Sequence, residues 1–216
     1  MTLGIVTGLT AEARIARRLG TTEAGGGTPF GAEIAAEKLV AAGATCLLSF
    51  GLAGGLDPAL KPGDLIVPIA VIETGVTTHT DPGLSARIGG WFGGFLFAAE
   101  RIVADPQAKR RLRATTGASS VDLESGAVAR VAARHNIPFA VLRAICDHAN
   151  RTLPPAALMA LDARGAIGLG AVLASVIRHP GQIAGMVGVA RDAAAARRAL
   201  IRRVGDLVDG GGLLML

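Results

Sequence analysis

The chain predicts an α/β fold, a three-layer αβα sandwich around a central mixed sheet. Three observations carry that prediction. Short runs of Val, Ile and Leu alternate with helix-patterned segments along the first 150 residues. Several of these runs, such as "TCLLSF" and "FAVLRAI", are apolar at nearly every position, the pattern of strands covered on both faces. Acidic or Gly-rich segments then follow the runs at once, where open α/β sheets present their ligand sites.

The elements follow in order. Leu3 to Thr7 reads as a strand that Gly8 turns into a helix over Ala11 to Leu19. "EIAAEKLVAAGA" is a second helix, stopped at Gly43. "TCLLSF" is a buried strand leading into a turn, "GLAGGLDP". "DLIVPIAVIE" reads as one strand in which Pro68 implies a bulge or an edge. Gly83 to Gly94 carries so much Gly that a mobile loop is expected, and "GGFLFA" at its end is another strand. Asp105 to Arg113 is a basic helix with Pro106 in its first turn. Glu124 to His135 is a helix and Phe139 to Ile145 a strand. From Ala156 onward the pattern is mostly helical. No repeat or low-complexity linker divides the chain, so one domain over residues 1–216 is expected, with a helical part from about 155.

Composition narrows the function classes. Half of the 216 residues are hydrophobic, aromatic residues make up 3%, and Tyr is absent. Ala, Val, Leu and Ile must therefore fill the core, and the mean hydropathy is +0.47. The longest apolar runs, Ile88 to Ala99 and Ala166 to Ile177, fall short of the roughly 20 residues that a spanning helix needs. "MTLGIVTG" lacks the basic start of a secretory signal, so a cytoplasmic protein is expected. Cys46 and Cys146 stand apart in apolar surroundings and read as buried free thiols. His79, His135, His148 and His179 show no ligand spacing with Cys or acids, so no metal is expected. The net charge is +5. Its late Arg cluster (Arg191, Arg197, Arg198, Arg202, Arg203) suits an anionic surface, whereas the near-absence of aromatic residues argues against nucleic acid.

Candidate chemistry gathers at three strand ends. "TGLTAE" supplies Gly8 and Glu12 after the first strand. "GLAGGL" supplies Gly51 to Leu56 after the second, and "CDHAN" supplies Asp147 after the late one. Glu124 opens the preceding helix, and its spacing with Val128 and Val131 turns it toward the core or a cleft. Each acid also has a plain alternative, complementing a helix dipole or capping a turn. The Gly-rich turns match neither a dinucleotide fingerprint nor a Walker loop. They suit a backbone that comes close to a sugar or an anion.

At these residues the chain resembles a known family. "GIVTGLTAEA", "GLAGGLDPALKPGDLIV" and "VDLESGAVARVAARHNIPFAVLRAICDHAN" are similar to the purine nucleoside phosphorylase and methylthioadenosine/S-adenosylhomocysteine nucleosidase superfamily. The likeness spans Met1 to Asn150 and implies a nucleoside phosphorylase/hydrolase-like sandwich without a cofactor, phosphate being a conceivable co-substrate. It implies that Glu12 activates water and that Asp147 protonates or hydrogen-bonds purine N7. Glu124 would hold the ribose hydroxyls, with Leu123 beside it. Gly8, Leu52, Ala53 and Gly54 would line the nucleoside or anion loop, and Arg101 and Ile102 the base. Leu52 replaces a Ser or Thr common in relatives, Leu123 a Met, and Arg101 falls near a base-stacking Phe. Water is slightly favoured over phosphate as nucleophile because Glu12 is present. A homo-oligomer is also implied.

"GLGAVLASVIRHPGQIAGMVGVARDAAAARRAL" resembles the hopanoid-associated phosphorylases, or adenosylhopane nucleosidases. That resemblance implies release of adenine from adenosylhopane in hopanoid biosynthesis. Ala196, Leu200, Val204 and Leu207 share one helical face, and the Arg residues on the remaining surface would allow peripheral contact with the inner membrane. The competing expectations are a nucleosidase or phosphorylase for methylthioadenosine or another soluble purine nucleoside, and a non-catalytic lipid- or nucleoside-binding module. Three retained acids argue against the module.

Overall fold

The computed structural model describes residues 2–89, 91–154 and 183–210. Among the described residues, ten strands form one mixed sheet. The strands are β1 (Leu3–Thr7), β2 (Thr21–Ala24), β3 (Cys46–Gly55), β4 (Leu65–Val67), β5 (Ala70–Glu73), β6 (Val76–His79), β7 (Trp91–Phe92), β8 (Phe95–Ala98), β9 (Ala118–Asp122) and β10 (Phe139–Asp147). The helices are α1 (Thr10–Ala16), α2 (Pro29–Ala41), α3 (Pro82–Ile88), α4 (Pro106–Thr116), α5 (Ser125–Arg134) and α6 (Ile183–Asp209).

Strand β3 organises the sheet because it pairs three times. It runs parallel to β1 from Cys46 to Phe50 and to β10 from Leu47 to Gly54, while Gly54 and Gly55 at its end also pair antiparallel with Val121 and Ser120 of β9. The expected turn "GLAGGLDP" is thus a strand through Gly55. Gly there lets the backbone bend between two partners, and the close packing described below needs the missing side chains. Pro68 splits the expected single strand into β4 and β5, because a residue without an N–H cannot continue a ladder.

Two apolar clusters cover the two faces of the sheet. One joins Leu39 of α2, Val128 and Val131 of α5, Leu47 of β3 and Val141 of β10. The other joins Ile5, Phe50 and Leu142 to Ala196, Leu200, Val204 and Leu207 of α6. The predicted apolar face of the late helix is therefore buried on the sheet, and Arg197, Arg198 and Arg202 are exposed. Arg203 is used internally, its Nε donating to the Ile88 carbonyl at 2.7 Å.

The first half of the segment expected to be a mobile loop, Gly83 to Gly94, belongs to helix α3. Asp81 caps α3 by accepting from the Leu84 N–H at 2.7 Å, and Leu84 and Ile88 are buried. An Asp-Pro start outweighs the Gly content there. The expected helical pattern over 155–182 lies outside the described residues, and α6 supplies a long helix after it. No described helix is long and apolar enough to cross a membrane.

Candidate active site

A cavity of about 230 Å³ opens at the ends of β1, β3, β9 and β10. Gly8, Glu12, Leu52, Ala53, Gly54, Arg101, Ile102, Leu123, Glu124 and Asp147 all line it, so the three strand ends and the expected base segment meet at one place. Val189 and Ala193 of α6 add an apolar wall.

Glu12 comes from the first turn of α1 and is 3% exposed. Its Oε2 accepts from the Leu9 N–H at 2.8 Å and its Oε1 from the Leu52 N–H at 3.1 Å. Loop amides that could have cradled an external anion thus already hold this carboxylate. Burial raises the Glu12 pKa above its ordinary value, against the opposing pull of Arg143 and the loop amides.

Glu124 precedes α5, and burial pushes its pKa up to about 7; Arg143 lowers it while Asp122 and Glu12 raise it further. Gly8 exists where it does because of this carboxylate. A Cβ there would stand 2.5 Å from Glu124 Oε1 and 3.5 Å from Glu12 Oε2. At Gly51 the same test places a Cβ 2.8 Å from the Glu12 carboxyl and 2.7 Å from Arg143 Nη1.

Arg143 is the centre that inspection of the sequence missed. It sits in β10 at 1% exposure. Its Nη2 lies 2.7 Å from Asp122 Oδ2, 3.1 Å from Glu124 Oε2 and 2.8 Å from Ser49 Oγ. Ser125 ties the cluster further, donating to Asp122 and lying 3.0 Å from Ser49 Oγ. Burial opposes the guanidinium charge, but Asp122, Glu124 and Glu12 outweigh it and hold the Arg143 pKa above its ordinary value. Three carboxylates thus share one buried cation. A charge inside the apolar run "FAVLRAI" was the available signal, since a buried charge must find partners.

Asp147 ends β10, is 4% exposed and lines the same cavity. Its Oδ2 is ion-paired with Lys109 of α4, and its Oδ1 lies 3.6 Å from the Cys146 thiol, which burial keeps protonated. Burial raises the Asp147 pKa and Lys109 pulls it back. Lys109, 0% exposed, is a second residue hidden from sequence reading, because "QAKRRLR" looks like an ordinary solvated basic face. Cys46 and Cys146 are free thiols, the first buried and the second half-buried. Among the described residues no group of His, Cys, Asp and Glu could hold a metal ion.

A mixed sheet with helices on both faces and an acid-lined cavity at its strand ends define an α/β sandwich with a site where such sheets bind small molecules. The family model described as "Phosphorylase superfamily" matches residues 10–88 and 92–178. The chain belongs to that superfamily. It is 26% identical over 141 residues to a 5'-methylthioadenosine/S-adenosylhomocysteine nucleosidase of Tolumonas auensis, a match covering 50% of this chain and 59% of the relative. The chain thus spans less than two thirds of that relative's length. Among solved structures it resembles the Helicobacter pylori 5'-methylthioadenosine/S-adenosylhomocysteine nucleosidase with butyl-thio-DADMe-Immucillin-A (17% identity, 95% and 98% of the two chains, TM-score 0.67). It also resembles the S. pneumoniae enzyme with MT-ImmA (16% identity, 94% and 98%, TM-score 0.67). A futalosine hydrolase of Helicobacter pylori shares the fold over 67% of this chain and 89% of its own (19% identity, TM-score 0.61).

Proposed function

We propose that the protein hydrolyses the N-glycosidic bond of a 5′-substituted adenine nucleoside, releasing adenine. The observation that supports this best is the meeting of three acids at one cavity: Glu12 and Glu124, which share Arg143, and Asp147, which is held separately by Lys109. The named relatives point to the same reading, and to methylthioadenosine or S-adenosylhomocysteine as first substrates to try.

The chemistry follows from those positions. Glu124, when ionised, accepts from ribose hydroxyls and stabilises the positive charge that builds on the sugar. Asp147, protonated, gives its proton to purine N7 as the C1′–N9 bond breaks, and the electron pair leaves with neutral adenine. Glu12 takes a proton from the water that attacks C1′. Water is preferred to phosphate because Glu12 itself occupies the loop amides of Leu9 and Leu52, and because Arg143 is committed to Asp122 and Glu124. An anionic nucleophile would enter a floor richer in carboxylate than in cation.

The test is adenine release from methylthioadenosine with and without phosphate. Phosphate-independent release supports the reading, whereas release that requires phosphate replaces hydrolysis by phosphorolysis. No release from any adenine nucleoside removes the proposal. A second reading, adenosylhopane as substrate, rests on the apolar wall of Val189 and Ala193 and on Ile102, which lines the cavity and is 39% exposed. Adenine release from adenosylhopane in detergent, compared with methylthioadenosine, decides between the two. On the lipid reading the exposed Arg face of α6 would rest on anionic membrane, which vesicle flotation measures.

A further inference from the structure

Lys109 is the buried charged group whose partner belongs to the proposed chemistry and which that chemistry leaves unused. Its side chain is fully buried, and its ammonium meets the Asp147 carboxylate and the His148 carbonyl, the latter at 3.1 Å. It reaches them from α4, an element that otherwise covers β9 and carries a solvated basic face. The contact is to Oδ2 of Asp147. Oδ1 is left on the side of Gly54, a cavity residue at which an added Cβ would stand 2.9 Å from it. Oδ2 is thus anchored inside the protein by Lys109, while Oδ1 lies beside two cavity residues, Gly54 and Cys146, whose thiol donates to it at 3.6 Å.

We propose that Lys109 is a positioning residue for departure of the base: its ammonium fixes Oδ2 of Asp147 and supplies the counter-charge for the carboxylate left behind after Oδ1 has given its proton to the base. The inference rests on the nucleosidase reading above. The balance is simple. The Asp147 O–H bond breaks, the N7–H bond forms, C1′–N9 breaks with its electron pair going to the base, and the new negative charge faces Lys109. The ammonium keeps its protons throughout. It is sealed from solvent, so a proton given to Asp147 could be replaced only through Asp147 itself, and a fixed charge suits the site better than a relay. A plain alternative is an ion pair that merely ties α4 to the end of β10.

The discriminating experiment compares two leaving groups in wild type and Lys109→Met. Methylthioadenosine needs a proton at N7. A 4-nitrophenyl riboside does not, because nitrophenolate is stable as an anion. Loss of the counter-charge should lower kcat on methylthioadenosine by a factor on the order of 10², the low end of general-acid assistance, and leave the nitrophenyl riboside within a fewfold of wild type. Besides Lys109, the groups acting on Asp147 are the Cys146 thiol and Arg151. With both unchanged, the alkaline limb of the pH profile should move upward, since Asp147 would hold its proton to higher pH. Equal losses on both substrates with an unmoved limb would overturn the inference and leave the nucleosidase reading standing. A wild type that cleaves neither substrate would remove that reading, and this inference with it. If Lys109→Met fails to fold, Asp147→Asn is compared with the double variant K109M/D147N, whose buried pair is neutral. Equal rates in the two support the inference, and a further fall in the double variant overturns it.

Discussion

Replacing Glu124 by Gln should make the protein less active and, above neutral pH, more stable. Glu124 is buried, with a folded-state pKa of about 7 against an ordinary 4.5. Between those values the native state holds a proton that the unfolded chain has lost. Stability therefore falls as pH rises through that window, and the fall is complete above about 7. At about 1.4 kcal/mol per pH unit, the displacement corresponds to about 3 kcal/mol, and full burial removes the need for a solvent discount. The amide introduced by Glu124→Gln would carry no charge to desolvate, and Arg143 would keep Asp122 at 2.7 Å. Melting temperatures at pH 5 and pH 8 are the assay. About 2.5 kcal/mol of this falls between pH 5 and pH 8, which for a chain of this size amounts to roughly 5–10 °C, so the wild type should lose that much more than the variant between the two pH values. The same titration predicts that wild-type kcat/KM rises through pH 7 as Glu124 ionises. Parallel stability losses in wild type and variant would refute the reasoning, because the cost would then lie elsewhere in the cluster.

Three further outcomes are expected. Arg143→Met should destabilise by about 3–5 kcal/mol, the usual result of leaving buried charge without its partner, and urea unfolding should find the deficit growing from pH 5 to pH 8 as Glu124 ionises. Gly8→Ala places a methyl 2.5 Å from Glu124 Oε1; with Arg143 holding that carboxylate, stability should drop by about 1–3 kcal/mol and turnover by roughly 10²-fold, measured by melting and adenine release. Glu12→Gln should reduce hydrolysis by about 10²–10⁴-fold with the fold intact by circular dichroism, and near-normal turnover would remove Glu12 from the mechanism.

Much of the fold was legible because strands β1, β3 and β10 are continuous apolar runs and α5 has a clear helical period. Glycine produced the main errors. In "GLAGGLDP" it signalled a turn, yet β3 continues through Gly55 because the neighbouring carboxylates of Glu12 and Asp147 occupy the space of the absent side chains. In Gly83 to Gly94 it signalled a loop, yet Asp81 and Pro82 start a helix whose Leu84 and Ile88 enter the core. Acids at strand ends were readable because Asp and Glu are conspicuous beside apolar runs. Their cations were not, since Arg143 and Lys109 are two among 22 basic residues and only tertiary packing buries them. Short β9 was also missed. "ASSVD" is polar by composition but fully buried, with Ser119 donating to the Phe95 carbonyl at 3.2 Å.

The wall formed by α6 gives the site a place in time. The cavity's described lining runs from Gly8 to Ala193, and Arg151 is ion-paired to Asp192 at 2.6 Å on that same wall. A ribosome adding about 5–20 residues per second makes Asp147 several seconds before Ala193. During that interval the emerging chain carries every acid of the cluster and its buried cations, but not the helix that covers Phe50 and Leu142. The acids and buried cations of the site are therefore synthesised before the apolar helix that packs on Phe50 and Leu142, so a nascent chain stalled before α6 carries the charged cluster without that part of its cover.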